Sequence, residues 1–213
     1  MYSPQSFSLD EISAQSELIS RYPLGLLISN TPQGIEANPL PFLVDVDTHG
    51  VMTLRAHFSK ANTHWQSLCD NPECLVVFQG EQGYISPSWY ASKVPSGGKV
   101  VPTWNYATVQ VSATAKIIDD PQWLRTLLER LTHLHEGQRP EPWQISDAPD
   151  NFIASMLKGI VGIELVAHRV VGKAKLGQNR SAEDVAGAAK GLYESEGQNS
   201  PLASAMKKAK DLL

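Results

Sequence analysis

The dominant pattern along the chain is a period-two alternation of apolar and polar residues, mixed with short continuous apolar runs. Alternation is typical of half-buried β-strands, and continuous runs are typical of fully buried ones. The stretch from Ile35 to Asp47 carries Pro39 and Pro41, so part of it is expected at a sheet edge or facing a ligand. Other strands are predicted over Leu24–Asn30, Val51–Phe58, Glu73–Gly80, Tyr84–Tyr90, Pro102–Asp119 and Gly159–Leu176.

Helices are predicted around these strands. Ser8 and Glu11 have capping-box spacing before a helix that reaches about Ser20. Asp120 and Pro121 begin the longest helix. Its apolar stripe is Leu124, Leu127, Leu128, Leu131 and Leu134. Further helices are predicted over Lys60–Asn71, Asp147–Leu157, Ala182–Glu194 and Pro201–Leu213, with Ser181 and Ser200 as caps. Because strands and helices do not alternate regularly, a mostly antiparallel β-barrel with peripheral helices is favoured over a doubly wound sheet.

Charge and cysteine content narrow the class of protein. The net charge of −4 is the sum of −7 over residues 1–157 and +3 over residues 158–213, which does not resemble a dedicated nucleic-acid binder. The N-terminus lacks the basic start and apolar stretch of a signal peptide, so we expect a cytoplasmic protein. Cys69 and Cys74 are then expected to be buried thiols.

The segment from Arg55 to Lys60 is the strongest candidate for local chemistry. A strand ends there and a helix is predicted to begin, and a helix N-terminus favours anions. Arg55, His57, Ser59 and Lys60 therefore predict a phosphate site, although Ser-Lys before a helix is also an ordinary cap. His57, His64, Cys69 and Cys74 match no zinc spacing, so no metal site is expected.

Large aromatic rings cluster in residues 84–106. Their distribution suits the walls of a flat, partly apolar ligand, and the Gly97-Gly98 loop suits a lid. Some of these rings, Trp89 above all, are equally expected in a core. The rings are Tyr84, Trp89, Tyr90, Trp104 and Tyr106.

Four motifs in this order resemble the PaiB-type family of FMN-binding negative transcriptional regulators. They are "HFSKANTHW", "YISPSWY", "VPTWNY" and "GKAKLGQN", and the "MYSPQSF" start is similar too. The resemblance covers nearly the whole chain. It implies an FMN-binding split β-barrel over residues 1–180, with a C-terminal helical extension over 181–213 packed on the same domain. It also implies a homodimer with flavin at the subunit interface.

The resemblance assigns the cofactor-binding residues. It places FMN phosphate at Arg55, His57, Ser59 and Lys60, and it adds Asn62 as a cofactor-binding residue. It implies that the strand with Trp104 and Asn105 approaches the flavin ring from the partner subunit, and it adds a C-terminal motif at Lys175, Gln178 and Asn179. Gly177 replaces the usual serine of that motif, so a hydroxyl contact is lost. Ser59-Lys60 replaces a common Ala-Arg pair, which keeps the charge but loses the bidentate fork of arginine.

Two functions follow from this family and its fold. One is an FMN-binding regulator without turnover, and the alternative is a flavin-dependent oxidoreductase of the pyridoxamine 5′-phosphate oxidase-like class. Lys207, Lys208 and Lys210 could contact DNA phosphates, but a solvated basic face explains them as well. Weak DNA binding without sequence preference is expected, because no base-reading helix is visible.

Overall fold

The computed structural model, which describes residues 1–197 and 199–211, contains one antiparallel sheet and peripheral helices. The strands are β1 (Ser8–Leu9), β2 (Leu24–Thr31), β3 (Gly34–Pro41), β4 (Leu43–Val46), β5 (Met52–Ser59), β6 (Glu73–Ile85), β7 (Thr103–Ile118) and β8 (Ile160–Lys175). The helices are α1 (Ile12–Arg21), α2 (His64–Asp70), α3 (Pro121–Glu136), α4 (Asp150–Lys158), α5 (Ala182–Glu196) and α6 (Pro201–Lys208).

The chain divides into two compact units. The first consists of Met1–Leu18, Gln79–Val109 and Val171–Leu213, and the second of Ile19–Phe78 and Gln110–Val170. Strands β6, β7 and β8 contribute residues to both. The sheet order is β3-β2-β6-β7-β8-β5-β4, an open path rather than a closed ring. The predicted mostly antiparallel fold with peripheral helices is therefore confirmed.

The core of the second unit follows from strict alternation. In β5, Met52, Leu54, Ala56 and Phe58 are buried, while the residues between them face the other way. Pairing of β5 with β8 sets His57 opposite Gly162. A Cβ on Gly162 would lie 2.3 Å from the Trp123 ring, so only glycine lets α3 approach the sheet here.

Helix α3 confirms its predicted start. The Asp120 side chain accepts hydrogen bonds from Gln122 N at 2.8 Å and Trp123 N at 3.3 Å, and Pro121 occupies the first helical position. The apolar stripe buries Leu124, Leu127 and Leu131 but ends there, because Leu134 is 46% exposed.

The first unit packs residues 89–92 against α5. The buried carboxylate of Asp184 accepts hydrogen bonds from Ser92 N and Ser92 Oγ, both at 2.8 Å. A Cβ on Gly191 would lie 2.3 Å from the Trp89 ring, so the indole reaches the helix backbone. Trp89 is therefore half-buried and packs against α5, which agrees with the core role that the sequence analysis gave as an alternative.

The two C-terminal helices begin as predicted. Ser181 Oγ accepts from Asp184 N at 3.2 Å, and Ser200 Oγ accepts from Ala203 N at 3.3 Å. Helix α6 ends at Lys208 rather than continuing, and Leu212 and Leu213 of the predicted helix lie outside the described residues. The predicted boundary between residues 180 and 181 stays a prediction.

Three local predictions were wrong. Ser8 does not cap α1, because it belongs to β1 opposite Lys173. The strand predicted over Tyr84–Tyr90 ends at Ile85, because Pro87 has no N–H for the sheet and a 3₁₀ turn begins there. Cys69 is exposed, since it lies on the outer side of the short α2.

Cys74 was predicted correctly. It is buried, and its thiol donates to Ala113 O at 3.4 Å. Burial raises the pKa of Cys74 to about 12, so the thiol stays protonated and unreactive at neutral pH.

Candidate functional site

One face of β5 gathers the polar residues that the sequence singled out. Alternation along the strand sets Arg55, His57 and Ser59 on the face opposite the core, and Lys60 follows directly. Ser59 is exposed, and the other three are partly buried. The structure therefore brings these four residues together at one end of a single strand.

Arg55 is held by carboxylates. Its Nε donates to Glu164 Oε2 at 2.7 Å, and its Nη1 contacts Asp45. Arg130 donates to the same Asp45, with Nη2 to Oδ1 at 2.6 Å. The hydrogen bond from Arg130 lowers the pKa of Asp45, and Asp45 in turn raises the pKa of Arg130. The Arg55 guanidinium is thus fixed in a network that ties β4, β5, β8 and α3 together.

His57 has an unused polar atom. Its Nδ1 is buried and has no hydrogen-bond partner among the residues that the structure describes. Burial lowers the pKa of His57, so the imidazole is neutral near pH 7. A buried ring nitrogen without a partner is costly, and a bound ligand that hydrogen-bonds to it would remove that cost.

Lys60 has one exposed ionic partner. Its Nζ donates to both carboxylate oxygens of Asp119 at 2.8 Å, with the two side chains 35% and 61% exposed. Its backbone is fixed, because Lys60 N donates to Gly159 O at 2.8 Å. Its carbonyl accepts from Trp65 Nε1 at 3.3 Å. The position of Lys60 is therefore set by the backbone, while its ammonium group is available for exchange.

The predicted helix start beside Ser59 and Lys60 was wrong. Helix α2 begins at His64 and has seven residues. Thr63 precedes it in a helical backbone conformation and makes no side-chain cap. Ser59 and Lys60 consequently lie in a turn, closed by Asn62 N donating to Ser59 O at 3.0 Å.

The Asn62 side chain binds Asn38, which the sequence analysis did not single out, and the backbone of His64. Its Nδ2 donates to Asn38 Oδ1 at 3.0 Å, and its Oδ1 accepts from His64 N at 3.0 Å. Asn38 lies in β3, a position where asparagine has poor strand propensity. An asparagine in a predicted strand, just before Pro39, is the sequence signal that could have indicated a polar role for Asn38.

The first unit holds the remaining predicted residues. Lys175 Nζ donates to the Trp104 carbonyl at 2.9 Å and contacts Thr103 Oγ1. The Trp104 ring is 50% exposed and lies edge-on to Tyr84, with ring centroids 6.4 Å apart. Trp104 and Lys175 therefore lie together, next to an exposed aromatic pair.

The other three first-unit residues differ in their surroundings. Asn105 is buried, and its Nδ2 contacts Met206 Sδ at 3.4 Å. Gln178 closes a turn, since Oε1 accepts from Leu176 N at 2.8 Å and Nε2 donates to Ala174 O at 2.5 Å. Asn179 is exposed.

The backbone conformation at position 177 explains why glycine replaces the usual serine. Its φ is +89°, a conformation that side chains rarely adopt, and a Cβ would lie 3.4 Å from Val185. Glycine therefore relieves strain at this turn.

Two further features concern residues 1–197 and 199–211, the part of the chain that the structure describes. There, no group of three or more His, Cys, Asp or Glu side chains is placed to hold a metal ion. No helix in the same described residues is long and apolar enough to cross a membrane.

The comparisons with known sequences define the family. Residues 1–169 match the family described as "Putative FMN-binding domain", and the chain belongs to this family. An uncharacterized protein of Saccharomyces cerevisiae is 34% identical over 171 residues, covering 71% of this chain and 100% of that protein. "Protease synthase and sporulation protein PAI 2" of Bacillus subtilis is 28% identical over 203 residues, covering 93% of this chain and 92% of that protein. The resemblance to the PaiB-type family is thereby confirmed, and with it a flavin as the cofactor class.

The solved structures agree on the fold. The FAD and heme binding protein of Mycobacterium smegmatis superposes with a TM-score of 0.58 at 14% identity, covering 79% of this chain and 73% of that chain. The flavocytochrome Anf3 of Azotobacter vinelandii gives a TM-score of 0.55 at 13% identity, covering 79% and 69%. At such identities the likeness concerns the fold alone, and the predicted split-barrel class is confirmed.

Proposed function

We propose that this protein is an FMN-binding regulator and that its Ser59–Asn62 turn receives the FMN phosphate. The observation that carries the proposal is the Lys60 ammonium, whose exposed ion pair with Asp119 can exchange, at the end of the strand that carries the unpartnered His57 nitrogen, in a chain of the FMN-binding family. When bound, the flavin supplies a redox-active ring, whose oxidation state can follow the redox conditions of the cell.

The residues of this turn fit a phosphate group. Lys60 offers a charge whose only ionic partner among the described residues is the exposed Asp119, and an exposed pair of this kind contributes about 0.2–1 kcal/mol. A phosphate dianion can therefore displace Asp119 at small cost. Ser59 offers an exposed hydroxyl, whereas the unpartnered ring nitrogen of neutral His57 is buried in the chain without ligand.

Arg55 is the weakest member of the predicted set. Its two carboxylate partners are Asp45 on β4 and Glu164 on β8. Moving the guanidinium to a phosphate would break both ion pairs. We propose that Arg55 supports the turn by fixing β5, while Lys60 carries the charge that meets the phosphate.

We propose that the residues of the first unit contact the flavin ring from the partner subunit of the homodimer. Trp104 presents a half-exposed ring suited to contact a flat heterocycle, and Lys175 fixes the backbone beneath it. Because Asn105 is buried, it would act through the packing beneath this strand. Because Asn179 is exposed, it would contact the flavin directly. Gln178 would act by holding the turn.

FMN binding is tested by a ligand series on apo-protein. We expect saturable quenching of FMN fluorescence, weaker binding of riboflavin, which lacks the phosphate, and no gain from the adenylate of FAD. Equal affinities for FMN and riboflavin would contradict a phosphate site, and no saturation at micromolar protein would contradict flavin binding by the isolated chain.

We also propose a homodimer formed through one sheet face of the second unit, here called the dimer face. The register of β2 and β3 sets seven apolar residues on it, and Asn30 is the polar exception. The seven are Leu24, Leu26, Ile28, Ile35, Ala37, Pro39 and Pro41. Leu24 is 65% exposed and Ile35 78%, and an apolar patch of this kind marks an interface. A twofold axis would cover the patch with its own copy.

The regulator role is supported by the relative named for protease synthase and sporulation, which covers 93% of this chain. The alternative is a flavin-dependent oxidoreductase, which binds the same cofactor. The FMN-loaded protein is expected to show no NAD(P)H-dependent bleaching at 450 nm beyond the rate of free FMN, roughly within twofold. Rapid, saturable bleaching would favour the oxidoreductase.

A further inference from the structure

A fully buried histidine, His64, lies two residues after the Ser59–Asn62 turn. His64 has 0% exposure, and its ring stands edge-on to Phe58 with centroids 5.8 Å apart. Its Nε2 is 2.7 Å from Ser29 Oγ, and its Nδ1 is 2.9 Å from Asn38 Nδ2. Both ring nitrogens therefore have hydrogen-bond partners.

The orientation of Asn38 is determined by a carboxylate. Asn38 Nδ2 also donates to Glu36 Oε1 at 2.9 Å, so its two hydrogens go to Glu36 and to His64. A flipped amide would set an oxygen against the Glu36 carboxylate, which is unfavourable. His64 Nδ1 is consequently an acceptor, and the ring proton resides on Nε2 and is donated to Ser29.

The remaining amide oxygen of Asn38 reaches the turn. Asn38 Oδ1 accepts from Asn62 Nδ2 at 3.0 Å, and Asn62 Oδ1 accepts from the backbone of His64 at 3.0 Å. With this orientation, the hydrogen bonds run without a break from Glu36 on β3 to Asn62. Asn62 N in turn donates to Ser59 O and closes the turn.

We propose that Asn38, oriented by Glu36, is a positioning residue that holds the Ser59–Asn62 turn in the shape that receives the phosphate. The proposal rests on the proposed FMN function and adds two residues of β3 to it. Asn38 itself need not touch the ligand: it fixes Asn62, and Asn62 fixes the backbone on which Ser59 and Lys60 stand. A preorganised turn binds better because the ordering is complete before the ligand arrives.

The test compares FMN with riboflavin on two variants. Asn38→Leu keeps a similar volume but removes all three hydrogen bonds, and it is expected to weaken FMN binding by about 10-fold. Riboflavin affinity is expected to stay within about 2-fold, because riboflavin has no phosphate for the turn to hold. Glu36→Gln alters only an exposed side chain, so it tests the same idea in a protein that folds, with an expected loss of about 3-fold for FMN.

Ser29→Ala is the matched control. It removes the hydrogen bond on the far side of His64 and leaves the Asn38–Asn62 contact in place, so it is expected to lower the melting temperature without changing FMN affinity. Equal losses for FMN and riboflavin, or unchanged FMN affinity in both β3 variants, would overturn the positioning role while leaving FMN binding established. Wild-type protein that binds no FMN would overturn the proposed function and this role together.

Discussion

Replacing Leu26 by aspartate is expected to convert the proposed homodimer to a monomer. Leu26 stands near the centre of the dimer face, opposite Pro39 on β3 and Val77 on β6. A twofold interface contains every substituted position twice, so two carboxylates would be buried among apolar side chains. The dissociation constant of the dimer should rise by at least about 1000-fold, which corresponds to roughly 4 kcal/mol. Light scattering at tens of micromolar protein measures the change.

The same measurement needs a control for added charge. Phe152→Asp introduces the same carboxylate on α4, where Phe152 is 52% exposed, and is expected to leave the dimer intact. A wild-type monomer would refute the dimer itself. A dimer that survives Leu26→Asp but is lost in Phe152→Asp would move the interface to α4.

The strand pattern could be predicted because burial in a sheet follows a simple alternation. Period two in Met52–Ser59 fixed both the core face and the face that carries Arg55, His57 and Ser59. Local rules also predicted the caps at Asp120 and Ser200, since a cap depends on only a few neighbouring residues.

The partners of the site residues could not be predicted, because they come from distant parts of the chain. Arg55 binds Glu164, 109 residues away, and Lys60 binds Asp119, 59 residues away. No local pattern reports such pairs. Sequence analysis therefore assigned Arg55 and Lys60 the same role. In the structure, the Arg55 guanidinium is fixed by two carboxylates, whereas the Lys60 ammonium has one exposed partner.

One local prediction failed because two rules competed. Tyr84–Tyr90 alternates as a strand does, but Pro87 ends the sheet and the chain turns instead. The sequence analysis rejected a metal role for His64 on spacing, but it could not identify the partners of the ring, which are Ser29 and Asn38 inside the second unit.

Two substitutions with opposite effects test the role of Lys60. Lys60→Ala removes the only charge that we assign to the phosphate, and FMN affinity should fall by about 5- to 150-fold, or roughly 1–3 kcal/mol. Asp119→Ala removes the carboxylate that competes for the same ammonium, so FMN affinity should rise by up to about 5-fold. Fluorescence titration of each apo-protein at low salt measures both changes.

Lys116→Ala is the charge-matched control, because Lys116 is an exposed lysine of the second unit and lies on β7. It is expected to change FMN affinity by less than about 2-fold, since an exposed charge away from the phosphate acts only through a screened field. Riboflavin should bind all three variants as it binds the wild type. Weaker FMN binding in Asp119→Ala would show that the carboxylate orients Lys60 rather than competes with the ligand. Unchanged FMN affinity in Lys60→Ala would remove Lys60 from the site and leave Ser59 and His57 as the groups to test next.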